Sequence, residues 1–198
     1  MKQTDYAIQD LALKIQPNKI LFFDMDGTLV DSNYANYLSY KKAIQSVMQS
    51  DPDIIYNHDQ RFNRGILKNA VPNLSETEYK KITQEKERFY KDFLPETKLN
   101  KLVADILLIY SKTNKCFLVT NCRKDRALIT LNYYGLNDKF NYIFYRQIND
   151  NEISINKYQN AITYLNISAV SVIVFENEKS EIDAAMLAGI PIQNILSI

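Results

Sequence analysis

Apolar residues fall into two kinds of pattern along this chain, and the change between them divides it. Residues 19–24 are apolar up to a final aspartate rather than alternating, which predicts a strand covered on both faces, as in a parallel sheet. From 34 to about 93 no strand pattern occurs. Apolar positions there keep helical spacing and predict helices over 34–48, 60–69 and 76–93. Ser75 with Glu78 three residues on is a capping box for the last of these. From 99 onward helices and strands alternate. Helices are expected at 99–111, 125–134, 158–165 and 180–188, and strands at 116–120, 142–145, 170–175 and 194–197. Gly135 and Gly189 stop two of the helices, and a short N-terminal helix at 5–15 ends before Pro17. Such alternation predicts an α/β fold, a doubly wound parallel sheet formed by residues 1–32 and 97–198. Residues 33–96 then form an all-helical domain inserted after the first strand.

Composition narrows the function. The 198 residues are 46% hydrophobic and 24% charged, with a formal net charge of +1. No basic excess is left to neutralise a phosphate backbone or an anionic lipid surface, so neither nucleic acid nor membrane is expected as a partner. The longest apolar runs, "ILFF" and "VSVIVF", have strand length and fall far short of a span. The first nineteen residues lack the unbroken apolar region of a signal peptide, so the cytoplasm is the expected location. Two cysteines, Cys116 and Cys122, suit a reducing compartment and make no disulfide framework. The single histidine, His58, excludes zinc sites and triads that need several imidazoles.

Candidate chemistry gathers where the strands end. In an open parallel sheet, ligands collect at the carboxyl ends of the strands. The first expected strand ends in Asp24, with Asp26 and Gly27 directly after it. A later one ends in Thr120 and Asn121, and another in Glu176, Asn177 and Glu178. Lys157 opens the helix before that last strand. An aspartate–glycine pair after a strand is also ordinary turn chemistry. Carboxylates, a threonine and a lysine converging at strand ends instead make a hard-cation half and an anion half, and the oxygen donors suit Mg²⁺.

The segment "DMDGTLVDS" resembles the first motif of the haloacid dehalogenase (HAD) superfamily, whose members are mostly phosphatases. Thr120 in "FLVTN" matches the second motif, Lys157 the third, and "FENEKSEIDAAMLAGI" the fourth, all in the expected order. The helical insert is similar to the small C1-type cap of the phosphoglycolate phosphatase-like and beta-phosphoglucomutase-like subgroup. The resemblance implies a Rossmann-like core and a Mg²⁺-dependent phosphatase of small phosphorylated metabolites, such as phosphoglycolate or a sugar phosphate. It assigns Asp24 as nucleophile, forming an aspartyl-phosphate, and Asp26 as the acid and base. Thr120 and Lys157 would bind the phosphoryl oxygens, assisted by Gly27 and Asn121. Asp24, the Asp26 carbonyl and the fourth motif, through Glu176, Asn177 and Glu181, would hold the metal. The repulsion between adjacent carboxylates would let Asp26 keep a proton near neutrality.

Two features qualify this. Relatives usually carry aspartate where this chain has Asn177, a poorer ligand for Mg²⁺. Arg61 and Arg64, with His58 and Lys68, lie where the family places its substrate-selecting loop; they fit either a second anionic group on the substrate or a solvated helix face. The alternatives carried by the same motifs are a sugar-phosphate mutase and a phosphometabolite-binding regulator with an eroded metal site. A monomer or homodimer is expected.

Overall fold

The computed structural model describes residues 15–50, 53–58, 60–147 and 155–198. The helix expected over 5–15 lies outside them but for Ile15. Two compact units form, Met1–Val30 with Leu99–Ile198, and Asp31–Lys98. In chain order the strands are β1 (Ile20–Phe23), β2 (Val30–Asp31), β3 (Lys98–Leu99), β4 (Cys116–Val119), β5 (Tyr142–Phe144), β6 (Val172–Glu176) and β7 (Ile195–Ser197). The helices are α1 (Asn33–Met48), α2 (Arg64–Ala70), α3 (Glu76–Tyr90), α4 (Lys101–Tyr110), α5 (Lys124–Tyr133), α6 (Lys157–Leu165) and α7 (Lys179–Leu187).

Five strands form one parallel sheet in the order β5-β4-β1-β6-β7. Its strands are apolar on both faces because helices cover both. Leu21, Phe23, Cys116, Leu118, Ile173 and Phe175 point to one side, where Val103, Leu107, Ala127 and Leu131 of α4 and α5 meet them. Phe22, Phe117, Val119, Val172 and Val174 point to the other, against Tyr158, Ala161, Ile162 and Ala185 of α6 and α7. Each fully buried Leu, Ile or Phe stabilises this sandwich by roughly 1.5–3 kcal/mol relative to exposure. Phe23 stacks on Phe175 with ring centroids 4.6 Å apart, tying β1 to β6. The doubly wound α/β class expected from the alternation is therefore the observed one, and β1 sits centrally, where the chain order reverses.

The second unit is helical, built around Tyr40, Ile44, Phe62, Leu67, Ile82 and Phe89. The helix expected from 60 starts later, at Arg64, because the Asn63 side chain accepts the amides of Gly65 and Ile66 at 2.9 and 3.1 Å. That makes Asn63 the N-cap and leaves 60–62 outside. The capping box at Ser75 is present, with Glu78 N–H donating to Ser75 Oγ at 3.2 Å and Ser75 N–H to Glu78 Oε2 at 2.9 Å. After Tyr90 the chain tightens into a 3₁₀ turn, Lys91–Glu96, around Pro95. Strands β2 and β3 pair in a two-stranded ribbon that the hydrophobic pattern does not reveal, because two residues are too few to show a period.

Candidate active site

Strands β4, β1 and β6 are neighbours in register, with Phe23 beside both Leu118 and Phe175. Their carboxyl ends therefore lie side by side and deliver Asp24, Thr120 and Glu176 to one edge of the sheet. The backbone there is fixed tightly. Asp24 N–H donates to the Phe175 carbonyl at 3.1 Å, and Thr120 N–H to the Phe144 carbonyl at 3.0 Å. Beyond Asp24 the chain turns at once, with Val30 N–H on Met25 O at 2.9 Å and Gly27 N–H on Val30 O at 2.8 Å. Gly27 takes φ +91°, which a side chain would strain. A β-carbon there would also stand 2.5 Å from Nδ2 of Asn177, so the fourth-motif loop packs directly on this turn. Thr28 Oγ1 locks the same contact by donating to Asn177 Oδ1 at 3.0 Å.

Lys157 is the hub. Its Nζ lies 2.7 Å from Asp24 Oδ1, 2.9 Å from Glu176 Oε2 and 3.2 Å from Glu181 Oε2, and the residue is buried. Burial alone would push this ammonium down. Asp24, the Tyr158 hydroxyl, Glu176 and Glu181 outweigh that and hold it well above the usual lysine value, so it stays charged. Asp24 shows the opposite balance. Burial drives its carboxyl up to about 7; Lys157 opposes the rise, while Glu176 and Asp26 add to it.

Glu176, expected among the metal ligands, has both oxygens occupied. Oε2 accepts from Lys157 and from the Tyr158 hydroxyl at 2.5 Å; Oε1 accepts the amides of Asn177 and Glu178 at 2.9 and 3.1 Å. It braces Lys157 and the start of the loop rather than presenting a free oxygen. Tyr158 is fully buried and its phenol is held protonated, raised by burial and by the neighbouring carboxylates against the pull of Lys157. Asn121, expected on phosphate, donates to Glu181 Oε1 at 3.0 Å, so Glu181 is shared between Asn121 and Lys157. Thr120 Oγ1 accepts the Cys122 amide at 3.1 Å, which leaves its hydroxyl hydrogen available to a ligand. Arg61 and Arg64 belong to the helical unit; Arg64 is the first residue of α2.

The Asp26 side chain is gripped by a second buried cation. Its two oxygens accept from the two terminal nitrogens of Arg126, at 3.2 and 2.9 Å, with both side chains buried. A guanidinium fork at this range makes two charge-assisted hydrogen bonds and fixes the plane of the carboxylate. Arg126 and Tyr158 escaped the sequence reading. The available signal was position: Arg126 shares the buried face of α5 with Ala127, Thr130 and Leu131, where a charge has no place without a partner.

The donor set suits a hard cation in kind but is thin. Asp24, Asp26, Glu176 and Glu181, when ionised, place four negative charges against Lys157 and Arg126, an excess of two. Oxygen donors beside that excess are the Asp24 carboxylate, the Asp26 carbonyl and the Asn177 amide. Mg²⁺ needs few protein ligands and takes the rest from water and substrate. Among the described residues, however, no three His, Cys, Asp or Glu side chains come together as a metal-holding group. The oxygen donors present would suit a Mg²⁺ whose remaining ligands come from water and substrate.

A doubly wound parallel sheet whose central strand ends in an acidic pair, faced by a buried lysine, is the frame of an α/β enzyme with its site at the switch point. The sequence profile of the haloacid dehalogenase-like hydrolases matches residues 21–195, and this chain belongs to that family. A phosphorylated carbohydrates phosphatase of Thermotoga maritima is 28% identical over 178 residues, spanning 86% of this chain and 81% of that protein. A haloacid dehalogenase-like family hydrolase from Streptococcus pneumoniae superposes with a TM-score of 0.67 at 18% identity, covering 92% of this chain and 85% of that one. CbbY from Rhodobacter sphaeroides, solved in complex with phosphate, superposes with a TM-score of 0.69 at 14% identity over 87% and 83%.

Proposed function

We propose that this chain is a Mg²⁺-dependent phosphatase of small phosphorylated metabolites, of the sugar phosphate or phosphoglycolate type, working through an aspartyl-phosphate on Asp24. The observation that carries this is the buried contact of Lys157 Nζ with Asp24 Oδ1 at 2.7 Å, at the switch point of the sheet. A lysine there orients the attacking carboxylate and offers positive charge where phosphoryl oxygens gather charge in the transition state. An Asp24 oxygen attacks phosphorus, the ester P–O bond breaks, and the leaving oxygen takes a proton from Asp26. Water then attacks the phosphoryl group, its proton passes to Asp26, and Asp24 is regenerated with release of inorganic phosphate. Thr120 donates to a phosphoryl oxygen, and the Asn121 amide and the Gly27 turn flank it. Asp24, the Asp26 carbonyl and Asn177 would hold Mg²⁺, which supplies charge neutralisation for the bound phosphate. Likeness to a phosphatase of phosphorylated carbohydrates supports the substrate class. Arg61 and Arg64 of the helical unit are the candidates to meet a second anionic group on the substrate, a solvated helix face being their other reading. A cytoplasmic location is part of this reading; no helix among the described residues is long and apolar enough to cross a membrane.

The test is release of inorganic phosphate from a panel of sugar phosphates and phosphoglycolate, with Mg²⁺ and with EDTA. Turnover that needs Mg²⁺, disappears in Asp24→Asn, and yields a hydroxylamine-sensitive phosphoenzyme is expected. No more turnover than Asp24→Asn at saturating Mg²⁺ rules the reading out. Asn177 favours one second reading, a phosphometabolite-binding regulator, which calorimetry would reveal as binding of a panel compound without phosphate release. A mutase would return the phosphoryl group to the sugar, seen as isomerised sugar phosphate.

A further inference from the structure

We infer that Arg126 is a positioning residue for Asp26, fixing the orientation of the carboxylate on which the proposed proton transfers depend. The inference rests on the phosphatase reading and adds to it a residue outside the four motifs. Its basis is geometric. The backbone of Asp26 is already held by the turn, through Val30 N–H on Met25 O and Gly27 N–H on Val30 O. Arg126 acts on the side chain, meeting both carboxylate oxygens at once, at 3.2 and 2.9 Å. A bidentate fork fixes the plane of a carboxylate as well as its place, which a single-point donor such as lysine cannot do.

The mount behind the fork is rigid. Arg126 lies in the first turn of α5, and its carbonyl accepts the Thr130 hydroxyl at 2.8 Å. The same helix follows directly from the Thr120–Cys122 loop, so one element supports both the phosphate-binding threonine and the orientation of Asp26. A buried pair of this kind contributes little to stability beyond what a well-packed apolar pair would provide. A purely structural role therefore gives the chain no reason to keep it beside the reacting groups.

The test compares Arg126→Met, Arg126→Lys, Asp26→Asn and the Asp26→Asn/Arg126→Met double variant at saturating Mg²⁺, with melting temperatures measured in parallel. Arg126→Met is expected to lower kcat by about tenfold or more with KM within about threefold, and Arg126→Lys to recover part of the loss. In the Asp26→Asn background the Arg126 substitution is expected to have no further effect, within about twofold, because its route to the reaction is gone. An unchanged kcat in soluble, folded Arg126→Met overturns the inference, as does a loss that simply multiplies with that of Asp26→Asn. Should Arg126→Met fail to fold, Arg126→Lys decides alone: wild-type kcat in it overturns the inference, and a selective kcat loss supports it. A wild type without turnover above Asp24→Asn overturns both this and the phosphatase reading, whereas an active wild type with indifferent Arg126 variants overturns only this one.

Discussion

Asn177 puts a neutral amide in the loop that packs on the Gly27 turn. Its amide oxygen already accepts the Thr28 hydroxyl, and its nitrogen lies against Gly27. It therefore brings position but no charge to a cation. Asn177→Asp keeps the shape and the Thr28 contact while adding a full negative charge to the loop packed on the Gly27 turn. A charge added about 4 Å from a divalent ion is worth several kcal/mol at protein-surface dielectric, much of it lost to desolvation, so a gain of at least about tenfold in Mg²⁺ affinity is expected. Thermal melting over a Mg²⁺ titration measures it without relying on turnover. The variant should melt below the wild type in EDTA, through repulsion with the acidic groups of the site, and gain more than the wild type as Mg²⁺ is added. Equal Mg²⁺ response in the two proteins would show that position 177 does not face the ion. That position 177 carries an amide and not a carboxylate was legible in the sequence, because the two differ in the letters themselves. The occupation of Glu176 was not. Its four donors come from Lys157, Tyr158 and two backbone amides, and only the folded register of β6 against α6 assembles them.

At the scale of elements, α6 shows how a helix start becomes a functional device. Lys157 is its first residue, and Asn156 is the N-cap, accepting the amides of Tyr158 and Gln159 at 3.0 and 3.1 Å. The same side chain donates to the Ala184 carbonyl on α7 at 2.8 Å, so one asparagine ties the two helices that carry Lys157 and Glu181. Asn156→Ala should cost about 1–2 kcal/mol of stability, read from chemical denaturation. It should also lower kcat more than the stability loss explains, because Lys157 loses its fixed base. Asn156→Asp restores the cap and should recover most of the stability; if it recovers none, the link to Ala184 and not the cap is what matters. The sequence placed Lys157 at a helix start correctly because the apolar stripe Tyr158, Ala161, Ile162 and Leu165 has a clear period. It missed where α2 begins, since Asn63 becomes a cap only once its side chain turns back on the chain. The two-residue strands β2 and β3 were beyond reach for the same kind of reason: pairing, not pattern, makes them strands.

For the whole molecule, the two cysteines report how the sheet and its site loop open. Cys116 lies on β4 inside the larger core, fully buried, and burial pushes its thiol up to about 12. Cys122 is also buried, but it sits in the loop between β4 and α5, where its amide bonds Thr120 and its carbonyl accepts the Arg146 amide at 3.1 Å. A thiolate is the reactive form, and burial suppresses it, so native protein should react slowly with a thiol reagent at neutral pH. The two should nonetheless differ. Exposing Cys116 requires breaking a strand that is paired on both sides, by β1 and β5, which amounts to global unfolding. Exposing Cys122 requires only that a site loop open. In Cys116→Ser the remaining thiol should label faster than in Cys122→Ser, and inorganic phosphate with Mg²⁺ should slow only the former, by ordering the loop that holds Thr120. Both thiols should react at once in concentrated guanidinium chloride. Equal native rates in the two variants would mean that the loop opens only with the sheet, making the site as rigid as the strands that carry it.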